Sequence, residues 1–254
     1  MSGLVVDGLT VQYGKGSQAR TVVDDVSFTV PQGKVLGLVG ESGSGKSTVA
    51  RAILGLVKPV AGEISIGGEN LPTLSAARRA RRVQMIFQDP FGSLNPRMTV
   101  GQIILEALEA RRDISRSERR SEVLRLLDLV AMPPDVVERL PRRLSGGQRQ
   151  RVAIARAFAA QPDVIVADEI TSALDVSVQA QVLNVLRGVL ATEQHSMLFI
   201  SHNLAVVRYI SDVVAVMQNG VIVESGDVEE VLASPRHPYT RALLASVPQL
   251  PQRV

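Results

Sequence analysis

A glycine-rich segment near residue 40 has the composition and spacing of a phosphate-binding loop. Residues 40–47 read GESGSGKS, which matches the pattern GxxxxGK[ST] between an apolar strand-like run and a helix-like run. Glycines let the backbone curl so that N–H groups point at phosphate oxygens, Lys46 supplies a mobile cation, and Ser47 offers a hydroxyl to Mg²⁺. A plain glycine-rich turn is the alternative. The candidate binding residues are Gly40, Ser42, Gly43, Ser44, Gly45, Lys46, Ser47 and Thr48.

Two adjacent carboxylates follow an apolar run later in the chain. Residues 164–167, VIVA, predict a buried strand, and Asp168 and Glu169 come directly after it. The carboxyl end of such a strand is the edge of a sheet at which ligands bind. We expect Asp168 to hold Mg²⁺ through its water shell and Glu169 to polarise an attacking water molecule. The alternative is that the two acids cap the next helix.

The composition favours one large domain, or one domain with a small insert. The chain has 254 residues, 45% of them hydrophobic, and 28 Lys and Arg face 25 Asp and Glu. This near balance does not predict nucleic-acid binding. The absence of cysteine excludes disulfides and thiolate metal sites, as is common in a reducing cytosol. We expect no signal peptide and no membrane span, which needs roughly 20 apolar residues, so any membrane role should come through a partner.

Strand-like and helix-like runs alternate along most of the chain, which predicts a largely parallel sheet covered on both faces. The strand-like runs are 22–30, 35–39, 164–167 and 196–200. From about residue 95 to 161 the pattern changes to amphipathic helices rich in Arg and Glu, so we expect an inserted helical subdomain. Residues 213–224 predict a hairpin that turns at 218–220, QNG.

The most specific segment is 144–157, LSGGQRQRVAIARA. Its first five residues resemble the signature of the ATP-binding subunits of ABC transporters. A serine and two glycines at the start of a helix form a second anion-binding surface. Since one chain does not need two separate γ-phosphate sites, the resemblance implies that this loop closes over ATP held by an opposing subunit; a simple helix cap is the alternative. The signature residues are Ser145, Gly146, Gly147 and Gln148.

Four further positions resemble motifs of the same family in the expected order. The resemblance implies that Gln88 senses Mg²⁺ and the attacking water, and that the segment 172–175, SALD, which ends at Asp175, is a loop that crosses a dimer interface. It also implies that His202 contacts the γ-phosphate and that adenine stacks on Tyr13, although a lone His is often structural and this Tyr could be an ordinary strand residue. The expected catalytic residues are Glu169, His202 and Gln88, and the expected Mg²⁺ ligands are Ser47, Gln88 and Asp168.

Two segments resemble a narrower group, the importers of dipeptides, oligopeptides and nickel. They are 88–97, QDPFGSLNPR, where the coupling groove to a permease is expected, and 237–244, HPYTRALL, which resembles that group's C-terminal extension. The alternative for the second is a surface helix. Ile170 departs from the family, which usually has Pro there, and Ile keeps its N–H and leaves φ free. The lack of cysteine excludes the iron–sulfur cluster of some members.

The resemblance covers essentially the whole chain and implies an α/β fold. The expected fold is a P-loop NTPase, RecA-like core with a mainly parallel sheet, an N-terminal antiparallel β subdomain and an inserted helical subdomain. The implied boundaries are 1–94 and 162–230 for the nucleotide-binding core, 95–161 for the helical signature subdomain, and 231–254 for the C-terminal extension.

The implied function is that of an ATPase that binds ATP and Mg²⁺ at the cytoplasmic face of the membrane and powers an importer. The implied partners are a second ATP-binding cassette, identical or paralogous, two transmembrane permease subunits and, indirectly, a solute-binding protein, with no nucleic acid. A soluble ABC ATPase acting on ribosomes or DNA is one alternative. A small-molecule kinase is another, but it leaves the signature, Gln88 and His202 unexplained.

Overall fold

The fold is given by a computed structural model, which describes residues 3–14, 16–111, 113–193 and 195–245, without the side chains of Ser17, Pro90 and Phe91. The end of the expected C-terminal extension, from residue 246, lies outside the described residues. The strands are β1 (Leu4–Tyr13), β2 (Arg20–Val30), β3 (Val35–Val39), β4 (Ala61–Ile66), β5 (Glu69–Asn70), β6 (Val83–Ile86), β7 (Val164–Asp168), β8 (Ser196–Ser201), β9 (Val213–Gln218) and β10 (Val221–Asp227). The helices are α1 (Lys46–Ile53), α2 (Ala76–Arg82), α3 (Pro90–Ser93), α4 (Val100–Leu108), α5 (Arg119–Leu129), α6 (Gly146–Ala159), α7 (Val176–Thr192), α8 (Leu204–Ile210), α9 (Val228–Ala233) and α10 (Pro238–Ala245).

The chain forms two compact units. The second unit is Thr73–Met197, and the first contains the chain before and after it. The expected boundaries at residues 94, 161 and 230 stay predictions. Among the described residues, no helix is both long enough and apolar enough to span a bilayer.

An antiparallel sheet in the first unit has the strand order β2-β1-β4-β5. In β1, Leu4, Val6, Leu9 and Val11 are each at most 1% exposed. Because successive side chains of a strand point to opposite faces, Leu4 and Val6 share a face, as do Leu9 and Val11. A register shift between Val6 and Leu9 accommodates the odd spacing between the two pairs. This sheet is the antiparallel β subdomain that the family resemblance implied, so that expectation is confirmed.

A second sheet in the first unit has the order β10-β9-β3-β8. All five residues of β3 are buried, as expected for a strand in a sheet covered on both faces, and β3 pairs with β9 in parallel. The β9–β10 pair is antiparallel, and Asn219 and Gly220 between them have φ values of 49° and 89°. Left-handed conformations at both central residues are typical of a two-residue hairpin turn, so the predicted hairpin is confirmed.

The second unit contains the parallel pair of β6 and β7 and most of the helices. The amphipathic runs of the sequence correspond to α4 and α5, with α4 beginning at Val100 behind a capping box of Thr99 and Gln102. Among the helices described, α6 has the most buried residues, nine of its fourteen. Within it, the partly buried guanidinium of Arg156 donates hydrogen bonds to the carbonyl oxygens of Ser93 (2.6 Å) and Met85 (3.4 Å), which replaces water as its partner.

Candidate active site

The glycine-rich loop connects β3 to α1, as the sequence predicted. Gly45 is the N-cap of α1 with a φ of 110°, which only glycine adopts readily. A Cβ there would lie 2.9 Å from the carbonyl oxygen of Val22 and 2.7 Å from Cε of Met217. The carbonyl oxygen of Ser44 also accepts a hydrogen bond (3.0 Å) from the N–H of Gly220 in the β9–β10 turn. The loop therefore packs against β2 and β9 of its own unit and is hydrogen-bonded to the β9–β10 turn.

The side chain of Lys46 lies inside this loop. It is only 5% exposed, and its Nζ donates hydrogen bonds to the carbonyl oxygens of Glu41 (2.7 Å) and Gly40 (2.8 Å) and to Oγ of Ser44 (3.2 Å). A phosphate oxygen is a stronger acceptor than a carbonyl because the hydrogen bond is then charged on both sides. The ammonium group is thus placed where it can exchange neutral oxygens for anionic ones, and this donor set fits a phosphate ligand.

Two other predicted residues belong to the first unit. Tyr13 is the last residue of β1 and is 39% exposed, so part of its side chain is accessible to a ligand. His202 is exposed and lies between the end of β8 and Asn203, whose side chain caps α8 by accepting from the N–H of Ala205 at 3.0 Å. Their roles toward adenine and the γ-phosphate stay predictions.

The predicted carboxylate pair ends β7 in the second unit. Asp168 is its last residue, and Glu169 follows with a φ of 47°. A non-glycine residue in this left-handed region costs roughly 1–2 kcal/mol and is typical of functional sites. Ile170 is only 1% exposed, so the residue that replaces the usual Pro anchors this turn through burial.

The hydroxyl of Ser172, which the sequence analysis placed only in the dimer-interface segment, connects the candidate catalytic residues of this unit. The Nε2 of Gln88 lies 3.4 Å from Oε2 of Glu169 and 3.1 Å from Oγ of Ser172. The same hydroxyl donates to the backbone oxygen of Glu169 at 2.9 Å. The structure therefore brings Gln88 and Glu169 together and adds Ser172. A serine three residues after the candidate base, where it can close a turn onto the base's own carbonyl, was the available sequence signal.

The signature segment forms the start of α6. The N–H of Gln148 donates to Oγ of Ser145 (3.3 Å), and the N–H of Ser145 donates to Oε1 of Gln148 (3.0 Å). This is a capping box, so the helix-cap alternative describes what these side chains do within the chain. A serine hydroxyl that accepts one hydrogen bond can still donate its proton. An additional role toward a nucleotide on an opposing subunit stays a prediction.

The two signature glycines have different surroundings. A Cβ on Gly147 would lie 2.4 Å from Cγ1 of Val178, whereas a Cβ on Gly146 would first meet Cδ2 of Leu174 at 3.3 Å. Gly147 therefore permits the close approach of α6 to α7, a packing reason that the sequence did not reveal. Asp175 is the N-cap of α7 and accepts from the N–H of Val178 at 3.0 Å. That hydrogen bond, followed by one from Ser177, lowers the pKa of the Asp175 carboxyl.

Known families match two parts of this chain. The family described as ABC transporter matches residues 23–172, and the family described as oligopeptide/dipeptide transporter, C-terminal region, matches residues 223–253. A peptide import ATP-binding protein of Brucella ovis is 50% identical to this chain over 248 residues. The match covers 96% of this chain and 78% of that protein. The oligopeptide transport ATP-binding protein OppF of Streptococcus mutans is 48% identical over 245 residues, covering 95% of this chain and 79% of that protein.

Solved structures of similar fold are also ATP-binding cassettes. The cassette MJ0796, solved as a dimer in a post-hydrolysis state bound to ADP and phosphate, has a TM-score of 0.77 and 27% identity, with 89% of this chain and 98% of that chain covered. The protein cbiO1 of Clostridium perfringens has a TM-score of 0.82 and 23% identity, with 92% and 91% covered. The second likeness supports the fold alone.

Proposed function

Because the chain belongs to the ABC transporter family, whose members couple ATP hydrolysis to transport, we propose that it powers the import of peptides or of a similar small solute such as nickel. The observation that carries this proposal is the presence of two matches in one chain, the cassette over 23–172 and the oligopeptide/dipeptide transporter region over 223–253. Relatives named for peptide import and oligopeptide transport favour an importer over a soluble ABC ATPase.

In the first unit, we propose that the loop from Gly40 to Thr48 holds the phosphates of ATP. The buried ammonium of Lys46 already lies among three oxygen acceptors and would exchange them for phosphate oxygens. We further propose that Tyr13 stacks on adenine and that His202 contacts the γ-phosphate. These assignments rest on the family resemblance together with the exposure of both side chains.

In the second unit, we propose that Glu169 polarises the water molecule that attacks the γ-phosphate. Its hydrogen bond with Gln88, and that of Gln88 with Ser172, would orient the carboxylate for this role. On the family resemblance we propose three Mg²⁺ ligands, Ser47 of the first unit and Gln88 and Asp168 of the second, whose oxygen atoms are the hard donors that this ion prefers. Bound Mg²⁺ would neutralise charge on the phosphates.

The proposed partners are the other subunits that an ABC importer needs. The signature residues Ser145 to Gln148 and Asp175 would act on ATP held by a second cassette, identical or paralogous, and the dimeric MJ0796 structures support such a pairing. Two transmembrane permease subunits would receive the movement at the cytoplasmic face of the membrane. A solute-binding protein would deliver the solute without touching this chain.

The test is affinity purification of the tagged full-length chain from detergent-solubilised membranes, followed by identification of its partners. We expect two polytopic permease subunits to co-purify, together with a second cassette if the partner is a paralogue. The Lys46→Ala variant should capture the same subunits but lack ATPase activity, since the loss is confined to nucleotide binding. Recovery of ribosomes or DNA without any permease would contradict the importer proposal.

A further inference from the structure

The C-terminal extension reaches the phosphate loop through one side chain. Tyr239, in the first turn of α10, accepts a hydrogen bond at its hydroxyl oxygen from the backbone N–H of Glu41, with 2.9 Å between the atoms. These residues are 198 positions apart and belong to the same unit. Glu41 is the second residue of the candidate phosphate loop. The contact therefore joins a segment that the family comparison assigns to a transporter C-terminal region to the loop proposed to hold ATP.

The turn before α10 is fixed by a carboxylate of β10. Glu224 accepts hydrogen bonds from the backbone N–H groups of Arg236 (2.7 Å) and His237 (3.1 Å). Burial on its own would raise the pKa of Glu224, but the nearby Thr240 side chain and the hydrogen bonds from these two N–H groups outweigh it and lower the pKa. Nδ1 of His237 in turn accepts from the N–H of Tyr239 at 3.2 Å. Tyr239 is thus positioned by a series of hydrogen bonds that begins on the sheet.

Both backbone polar groups of Glu41 form hydrogen bonds with side chains. The carbonyl oxygen of Glu41 accepts from Nζ of Lys46 at 2.7 Å, while its N–H donates to Tyr239 at 2.9 Å. The bond to Tyr239 does not involve Lys46, so it can persist if the ammonium group exchanges that carbonyl for a phosphate oxygen. Glu41 can therefore keep its position while the lysine moves.

We infer that Tyr239 is a positioning residue for nucleotide binding: its hydroxyl holds the peptide of Glu41 so that the phosphate loop keeps its binding conformation. Without this bond, a smaller fraction of molecules has the loop in its binding conformation. The apparent Kd for ATP rises in inverse proportion to that fraction. Once ATP is bound the loop is held by the phosphates, so turnover of the saturated enzyme changes little. This inference rests on the proposed function of the loop.

The test is Tyr239→Phe, which keeps the ring and removes only the hydroxyl. In the purified full-length chain we expect the Kd for MgATP and the KM for ATP hydrolysis to rise about three- to tenfold, the range for loss of one neutral hydrogen bond. We expect kcat to stay within about twofold of the parental value. Glu224→Gln should also raise the Kd. Because both substitutions act on one contact, the Kd of the double variant should lie within about twofold of the Kd of the weaker-binding single variant.

Two control variants separate the possible failures. Tyr209→Phe removes a hydroxyl from α8 in the same unit and should leave the Kd unchanged. Lys46→Ala should abolish tight binding, and normal binding by that variant would overturn the proposed phosphate site itself. If Lys46→Ala loses binding but Tyr239→Phe keeps the parental Kd, or shifts only kcat, the positioning role of Tyr239 is wrong and the phosphate site stands. An equal rise in Kd for Tyr209→Phe would also overturn it.

Discussion

The side-chain amide of Gln88 donates a hydrogen bond to the hydroxyl oxygen of Ser172, with 3.1 Å between the two atoms. The same hydroxyl donates a hydrogen bond to the backbone oxygen of Glu169, with 2.9 Å between the atoms. A residue of the loop after β7 thereby links a glutamine that follows β6 to the proposed catalytic base. The link joins the side chain of Gln88 to the backbone of Glu169.

Replacing Ser172 by Ala is expected to lower kcat about three- to tenfold and to leave MgATP affinity near the parental value. The physical reason is that one hydrogen bond orienting Gln88 is lost, a loss of about 1 kcal/mol in the transition state. Steady-state ATPase kinetics and a binding titration check this. Ser121→Ala is a matched control, because Oγ of Ser121 likewise donates to the carbonyl oxygen three residues earlier, in Glu118 (2.8 Å). Equal effects of the two variants on kcat would contradict the proposed role of Ser172.

Gly147→Ala is expected to lower the free energy of unfolding by about 1–3 kcal/mol, because the added Cβ overpacks the contact with Val178. The distance to Cγ1 of Val178 would be 2.4 Å, so Val178→Ala in the same chain should restore part of the loss. Gly188→Ala is the control: it lies inside α7 with no atom near the added Cβ and should stabilise by about 0.5–1 kcal/mol. Chemical denaturation measures all three. Unchanged stability of Gly147→Ala would refute the packing role.

The pH dependence of stability should include a contribution from Glu122. Its carboxylate accepts from Arg125 and Arg111 at 2.9 Å each, and the hydrogen bond from Arg125, followed by the charges of both arginines, lowers its pKa from 4.5 despite partial burial. A pKa that is lower in the folded state gives stability that is present above the unfolded value and is lost as pH falls through the folded value. Glu122→Gln should therefore lower stability by about 1–2 kcal/mol at pH 7, and the difference should shrink as pH falls below 4.5 toward the lowered pKa of the folded state.

Thermal unfolding of both proteins from pH 7 to pH 3.5 checks this prediction. Glu109→Gln is the control, because its partner Arg119 is 4.0 Å away and its side chain is 70% exposed, so it should change stability little at any pH. A stability difference for Glu122→Gln that stays constant down to the lowest pH would contradict the assignment to the carboxylate charge.

Ser145→Asp separates the helix cap from the proposed role toward nucleotide. Aspartate is as good an N-cap as serine, so the unfolding midpoint should stay near the parental value, whereas Ser145→Ala should lower stability by about 1 kcal/mol. The added negative charge should repel the γ-phosphate of an opposing subunit and abolish ATPase activity, while ATP binding by the dilute monomer remains. Full ATPase activity in Ser145→Asp would show that Ser145 serves only as a cap.

The sequence predicted those features that depend on local pattern. The buried run of β3, the amphipathic α4 and α5 and the Asn219-Gly220 turn are all where periodicity and turn chemistry put them. The phosphate loop was equally visible, because its glycines and Lys46 are contiguous. Each of these features is decided within about a dozen residues.

The features that the sequence did not reveal depend on contacts between distant residues. The bond between Tyr239 and Glu41 spans 198 positions, and the need for glycine at Gly147 arises from a methyl group of α7. The capping box of Ser145 was weighed as an alternative to nucleotide binding, but the hydrogen bonds show that the serine forms the cap in any case. Local sequence cannot distinguish a residue with one structural task from a residue with two.

We propose that Glu169 activates the water molecule that hydrolyses ATP. The same ATP molecule is proposed to lie between two cassettes and to hold them together. Glu169→Gln keeps the size and hydrogen-bonding reach of the side chain but removes the carboxylate that polarises water, so hydrolysis should fall by at least about 100-fold while ATP binding remains. The closed dimer should then accumulate, because a ligand bound only in the dimer shifts association by mass action.

The most direct measurement is size-exclusion chromatography of Glu169→Gln with MgATP and with ADP, run alone and with a paralogous cassette identified by the affinity purification. Lys46→Ala, which should not bind ATP tightly, is the control and is expected to stay monomeric in all mixtures. The account predicts a dimer of Glu169→Gln with MgATP and a monomer with ADP in at least one of the two mixtures. Turnover of ATP at the parental rate, or a monomer with MgATP in both mixtures, would contradict it.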